Sequence, residues 1–356
     1  MNHKLTDDEP TKLYIVGTAS WDTLHYIDEY KADGKGSNVY GQQLGGVGLN
    51  ALIMALHVAE IQGDTAEGTL CTELGQENAE NIYKGVVERR IADLYDNIKV
   101  HNVTDNDPNA RTPHIPVHIN REGERFAAIP SRYLTTEFDR ASEHKPKPVS
   151  LDLSADAADL ITRDAGEADI VILTSRMPKE SLIAAQSAAK NDKKIALDLN
   201  FDKQELRDNP DMMKVIEIAD YIFVPADTVM RSMDGEDADA LMQILREDYG
   251  KEHIAISDGA KDVRVYSDGV ETFIPTPQVK SNSPDFLGCG DARTGAASYC
   301  LAKGMDFVTA VEVGTRVSSL TGNYAGRSWT NPDCDQHFTA IMKDCAPISD
   351  LEHASP

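Results

Sequence analysis

The sequence predicts an α/β fold: a central, mostly parallel β-sheet flanked by helices, with a second, small β-sheet. Three observations carry that prediction. Short apolar runs recur along the 356 residues, amphipathic stretches fall between them, and two extended segments break the alternation. The runs are Lys12 to Gly17, Ile170 to Leu173, Ile195 to Leu199, Tyr221 to Val224 and Ile254 to Ile256. Lys179 to Lys190 and Ala238 to Tyr249 have helical periodicity. Strands that alternate with helices are joined by crossovers, which gives parallel pairing with helices on both faces. Ligands of such sheets bind beyond the carboxyl ends of the strands.

The first interruption is His114 to Asn120, which alternates, turns at Arg121 to Glu124 and resumes at Arg125 to Ile129. That pattern predicts a β-hairpin. The second, Thr23 to Leu44, is extended and glycine-bearing and directly follows the first strand. Together, segments 23–44 and 110–131 are expected to form a small lid sheet over a site. A further hairpin is expected at Asp268-Gly269, between Val263 to Tyr266 and Val270 to Phe273. No internal repeat divides the chain, so 1–356 reads as one domain with a frayed tail at 348–356.

Composition excludes several classes of function. The formal net charge is -24, and no Lys/Arg cluster forms a basic patch, so neither nucleic acid nor an anionic membrane is an expected partner. No apolar run approaches the ~20 residues of a membrane span. Met1 to Pro10 is polar and acidic, unlike a secretory leader. Five cysteines without a C-x-x-C pair read as reduced thiols, and the expected location is the cytoplasm.

Two glycine clusters carry the chemistry. Asp285-Phe286-Leu287-Gly288-Cys289-Gly290-Asp291 leads into the small-residue run Ala292 to Ala297. A helix starting there gathers amides without intrahelical partners, and glycines let an anion approach them. Asp291 places a carboxylate beside that spot, where it can take a proton from a hydroxyl. Gly45-Gly46-Val47-Gly48-Leu49-Asn50 precedes a helical run of Leu49, Leu52, Ile53, Leu56 and Ala59. Alone, this second cluster is equally a tight turn before a helix or a ligand site. It is not the G-x-G-x-x-G dinucleotide fingerprint, and no P-loop motif occurs anywhere.

Taken together, Gly-Gly-x-Gly-x-Asn and Asp-x-x-Gly-Cys-Gly-Asp resemble the ribokinase, or PfkB carbohydrate kinase, family over Leu13 to about Gly326. The resemblance implies a ribokinase-like fold and ATP- and Mg2+-dependent phosphorylation of a hydroxymethyl group on a sugar or nucleoside. It makes Asp291 the base and Gly288, Cys289 and Gly290 an anion hole. It assigns Asp22, Gly45, Gly46 and Asn50 to substrate. It assigns Asp198, Asn200, Ser257, Gly259 and Lys261 to the nucleotide. Asp285 becomes a neighbour of a monovalent cation such as K+, or of a Mg2+-bound water. Tyr40, Gln42, Gln43, Arg111 and His114 are candidates for lining the lid, and a homodimer through lid strands fits the family.

The sequence also departs from the family pattern. Ala226 to Val229 lacks the Asn-x-x-Glu motif, although Asp227 offers one carboxylate; Asp262 replaces a glycine of the nucleotide loop, and Phe286 a threonine. These departures keep two alternatives open: a non-catalytic sugar- or nucleoside-binding sensor on the same fold, and a vitamin-precursor kinase of the same superfamily.

Overall fold

The computed structural model describes residues 9–27, 37–75, 83–104, 110, 112–119, 125–127, 153–200, 209–225, 238–259, 261–278 and 286–322. The chain begins with β1 (Thr11–Val16), β2 (Ser20–Ile27), β3 (Ser37–Gly45), α1 (Val47–Gln62) and β4 (Ala66–Thr72). Next come α2 (Tyr83–Leu94), β5 (Ile98–Asn102), β6 (His114–Ile119) and β7 (Arg125–Ala127). The middle alternates α3 (Ala155–Glu167), β8 (Ile170–Thr174), α4 (Pro178–Lys190), β9 (Lys194–Asp198), α5 (Pro210–Ile218), β10 (Tyr221–Pro225), α6 (Ala238–Glu247) and β11 (His253–Ser257). It closes with β12 (Val263–Ser267), β13 (Val270–Ile274), α7 (Cys289–Ala302) and α8 (Phe307–Thr321).

Nine strands form one sheet in the order β13-β12-β11-β10-β9-β8-β1-β4-β5. From β5 to β11 every pairing is parallel, and β12 and β13 add an antiparallel edge. All five apolar runs are strands of this sheet. The turn between β12 and β13 has both Asp268 and Gly269 at positive φ, as a two-residue hairpin requires. The interrupting segments form a separate sheet, β3-β2-β6-β7, in which β2 runs parallel to β6 and antiparallel to β3. The expected hairpin is therefore β6–β7.

Side chains alternate between two cores, as the period of a strand demands. Leu13 and Ile15 of β1 face a core with α1, α2, α7 and α8, whereas Tyr14 and Val16 face α3 to α6. Helix starts are secured locally. The side chains of Ser154, Asn209 and Asp306 accept from the amides of Ala157, Met212 and Thr309, and Pro178 opens α4.

Helix α1 carries the helical run that begins at Leu49, and every residue from Gly48 to Ala59 is buried. Helix α7 packs closely against α1 on the same side of the sheet, which helps to enclose it. A Cβ at Gly295 of α7 would stand 2.1 Å from the Ala51 carbonyl oxygen of α1, and one at Gly314 of α8 would stand 2.6 Å from the Arg293 carbonyl oxygen. These small residues let three backbones stack without intervening side chains.

Gly295→Ala is thus expected to force α1 and α7 apart. Overpacking of this kind costs about 1–3 kcal/mol, with a carbonyl as the obstacle putting it at the upper end. Urea unfolding would read that loss, whereas an unchanged midpoint would contradict the close crossing.

Candidate functional site

The two glycine clusters meet where α1 and α7 begin. Gly46 lies at φ 101 and packs so tightly that a Cβ would come 2.3 Å from the Thr18 carbonyl oxygen. No side chain at Gly46 caps α1. Thr18 does so from the loop after β1: its Oγ1 accepts from the Val47 amide at 3.2 Å, and its carbonyl accepts from Leu49 at 3.2 Å. Most orphan donors of this helix start are therefore taken up by protein, which leaves Asn50 as the outward polar group of the cluster. Asn50 Nδ2 donates to Asp291 Oδ2 at 2.7 Å, across 241 residues of sequence.

Helix α7 starts differently. Gly288 is left-handed (φ 80), and the first strong intrahelical bond runs from the Ala292 amide to the Gly288 carbonyl at 2.9 Å. The Cys289 amide makes a long contact with the Phe286 carbonyl, 3.3 Å. Around Gly290 there is room: a Cβ there would meet only Arg293 Nη2, at 3.9 Å. An open helix N-terminus with its amide dipoles is suited to an anion. The Cys289 thiol receives a hydrogen bond from Thr321 Oγ1 of α8 at 3.2 Å, so this side chain packs against α8.

Asp198 stands at the carboxyl end of β9, buried, and Thr294 Oγ1 donates to its Oδ2 at 3.0 Å. Thr294 is one turn along α7 from Asp291, so this bond ties the N-terminal end of the helix to the sheet. Burial pushes the Asp198 carboxyl up to about 7, the nearby Asp291 charge adds to the shift, and Thr294, Arg293 and Arg176 oppose it. Arg293 is itself held below the ordinary arginine value by burial. Arg176, in the loop after β8, and Arg293 are the cations that the sequence reading did not name. A lone arginine right after an apolar strand in so acidic a chain was the available signal.

Asp22 lies on β2, buried, with Ser20 Oγ donating to its Oδ1 at 2.7 Å. The face that carries Asp22 also carries Leu24, which packs with Val117 of β6 and with Leu287, the residue before Gly288. The small sheet therefore rests on the loop that opens α7. On its opposite face Thr23 Oγ1 meets His114 Nε2 at 2.9 Å, Gln42 Nε2 donates to Thr23 at 3.4 Å, and Tyr83 stacks on His114 at 4.5 Å. Gln42 and His114 are thus engaged with each other's neighbours on that face, while Gln43 shares the Asp22 face.

The residues that the resemblance assigns to the nucleotide lie at the same edge of the sheet as Asp198. Asn200 donates its amide to Ser175 Oγ at 2.9 Å, and Ser257 Oγ reaches the Val224 carbonyl at 3.4 Å. Gly259 has positive φ, as a turn needs, and the exposed Lys261 pairs with Asp258 at 2.5 Å. Ser257 ends β11, two strands from β9, or roughly 10 Å along the sheet edge. Asp227, Asp285, Arg111, the Tyr40 side chain and segment 348–356 lie outside the described residues. Among the described residues no group of His, Cys, Asp and Glu could cage a metal ion, and no helix is long and apolar enough to cross a membrane.

A family model described as pfkB family carbohydrate kinase matches residues 11–334. The chain belongs to the pfkB carbohydrate kinase family. It is a phosphotransferase with an alcohol acceptor, a carbohydrate kinase. Solved structures agree with that fold. A ribokinase from Giardia lamblia superposes with a TM-score of 0.68 at 15% identity, over 94% of this chain and 100% of that one. A ribokinase from Arabidopsis thaliana, complexed with ribose and ATP, gives 0.62 at 16% identity over 93% and 99%. A nucleoside kinase from Burkholderia thailandensis, in complex with inosine, gives 0.59 at 16% identity over 93% and 99%. No curated protein sequence matches the chain.

The raised Asp198 carboxyl makes a signed prediction for this kinase. Between the ordinary carboxylate value, near 4, and about 7 the folded state holds a proton that the unfolded chain has released. Stability therefore falls as pH rises through that window, by at most about 4 kcal/mol. Asp198→Asn removes the titration, so its melting temperature should exceed that of the wild type by more at pH 8 than at pH 5. A difference that does not change with pH would contradict the buried charge.

Proposed function

We propose that this kinase transfers the γ-phosphate of ATP to a hydroxymethyl group of a sugar or nucleoside, with Asp291 as base and Gly288-Cys289-Gly290 as anion hole. The hydrogen bond from Asn50 to Asp291 carries the reading, because it joins the substrate-side cluster to the phosphate-side cluster at the carboxylate itself. The ribose–ATP and inosine complexes of the neighbouring structures support the two acceptor classes. The residues present suit ATP: open helix amides at Gly290 and two arginines near Asp198 answer phosphate charge. Mg2+ would be held mainly through the nucleotide's oxygens and water. A K+ beside Asp285 belongs to the same reading.

Each group then has one task. Asn50 fixes the Asp291 carboxylate by donating to its Oδ2, and that carboxylate accepts the proton of the attacking hydroxyl. The α7 amides and Arg293 stabilise the charge that develops on the transferred group, which is supplied by ATP. Asp22 accepts from substrate hydroxyls on the face that rests against Leu287, and closure of the small sheet as a lid excludes water that would compete as acceptor.

Asp291→Asn keeps an oxygen for Asn50 to donate to but removes the base. Turnover is expected to fall by about 10²–10⁴-fold while the affinity for acceptor stays within a factor of about three. An ADP-release screen across pentoses, hexoses, ketoses, sugar acids and nucleosides identifies the acceptor and tests this variant beside it. Full activity in the variant would sink the assignment of the base.

A further inference from the structure

Gln43 is half-buried on β3, yet its Nε2 is fully shielded and donates to no group. Its ladder partner is Asp22. Directly paired residues place their side chains on one face with Cβ atoms about 4.5–5.5 Å apart. The amide is therefore next to a buried carboxylate and still makes no bond to it. Buried donors are almost always satisfied, and an unpaired one calls for a partner that is missing. The same face, through Leu24 and Leu287, adjoins the loop that leads into Gly288. A donor from Gln43 and an acceptor from Asp22 are complementary to a single hydroxyl, which gives its proton to the carboxylate and takes one from the amide. Gln42, next in sequence, has no such role, since it bonds Thr23 on the opposite face.

We infer that Gln43 is the specificity-determining residue of the acceptor site, and that with Asp22 it binds one secondary hydroxyl of the sugar or nucleoside. The inference rests on the kinase reading and adds the group that the acceptor must present: a ring or chain hydroxyl away from the phosphorylated position. A deoxy sugar lacking it leaves the amide unpaired, and sites built to pair a substrate hydroxyl discriminate strongly against the analogue without it. An arrangement of this kind also couples binding to the lid, because the amide is satisfied only when the hydroxyl is enclosed.

The test compares wild type with Gln43→Leu and Gln43→Glu, using D-ribose, 2-deoxy-D-ribose, inosine, 2′-deoxyinosine and 3′-deoxyinosine as probes. KM by ADP release and affinity by calorimetry are both measured. Gln43→Leu should raise KM and weaken affinity for the preferred probe about tenfold or more, with kcat within about threefold. One deoxy analogue should lose that factor in the wild type and lose nothing further in Gln43→Leu. Thermal stability of Gln43→Leu should equal or exceed that of the wild type, because an unpaired donor has been removed. Gln43→Glu, which turns the donor into a second carboxylate beside Asp22, should bind worse than Gln43→Leu. Unchanged KM and affinity, equal loss for every analogue, or a variant that fails to fold would each overturn the role of Gln43. Absence of ADP release from wild type with calorimetric binding intact would instead refute the kinase reading and leave Gln43 judged by affinity alone. Binding of neither D-ribose nor inosine to the wild type would overturn both.

Discussion

The close crossing of α1 and α7 is the constraint on which the site depends. Two helices normally keep 8–10 Å between axes because side chains fill the gap. Here Gly295 lets α7 reach the Ala51 carbonyl directly, and Asn50, one residue earlier on α1, comes within hydrogen-bond distance of Asp291. Gly314 lets α8 repeat the arrangement against Arg293. The three helices are thereby held as a stack of backbones whose positions cannot drift by a side chain's width. The carboxylate is fixed from α1 by Asn50 and its helix from β9 by the bond between Thr294 and Asp198. One chemical group is thus placed by two distant parts of the chain, and rigidity of that kind is what positioning a reactive atom requires.

Much of the frame was legible in the sequence because it depends on periodicity alone. Ile170 to Leu173 or Ile254 to Ile256 can hardly be anything but strands buried on both faces, and the alternation around His114 needs only a turn to become a hairpin. The glycine clusters were legible because a left-handed residue, as at Gly288, and a close backbone approach, as between Gly46 and the Thr18 carbonyl, leave few residue choices. The spacing of Leu49, Leu52, Ile53 and Leu56 made α1 itself legible, but not its burial from Gly48 to Ala59, to which α7, some 240 residues away, contributes. The roles of Thr18 and Thr294 were illegible for the same reason. A threonine that caps a helix 29 residues later has the same local sequence as one that does not, and only the assembled fold separates them.

The small sheet illustrates a subtler limit. Gln42 and Gln43 are chemically identical, adjacent, and both expected at the lid. Alternation along β3 sends one toward Thr23 and His114 and the other to the face of Asp22. A one-residue change of register would exchange them. The register is held by its pairings on both sides: Trp21 opposite Leu44 on one, and Trp21 beside His114 on the other. Specificity in this family of folds can therefore be written by strand register as much as by residue identity.

Net charge gives a final physical argument. A chain of charge -24 looks ill-suited to a polyanionic nucleotide. Yet surface charges farther away than a Debye length, about 8 Å at physiological ionic strength, are largely screened. What acts at the start of α7 is local: helix amides, Arg293 beside Gly290, and the buried Asp198, whose carboxyl feels both Arg293 and Arg176. Asp198 is the costly member, since as a charged carboxylate it repels both Asp291 and phosphate. A carboxyl that holds its proton up to about pH 7 removes much of that repulsion and still accepts from Thr294. Burial that would otherwise be a defect thus lets the site carry a hydrogen-bond acceptor under α7 without a full negative charge. The sign of the site, rather than that of the chain, decides what binds there.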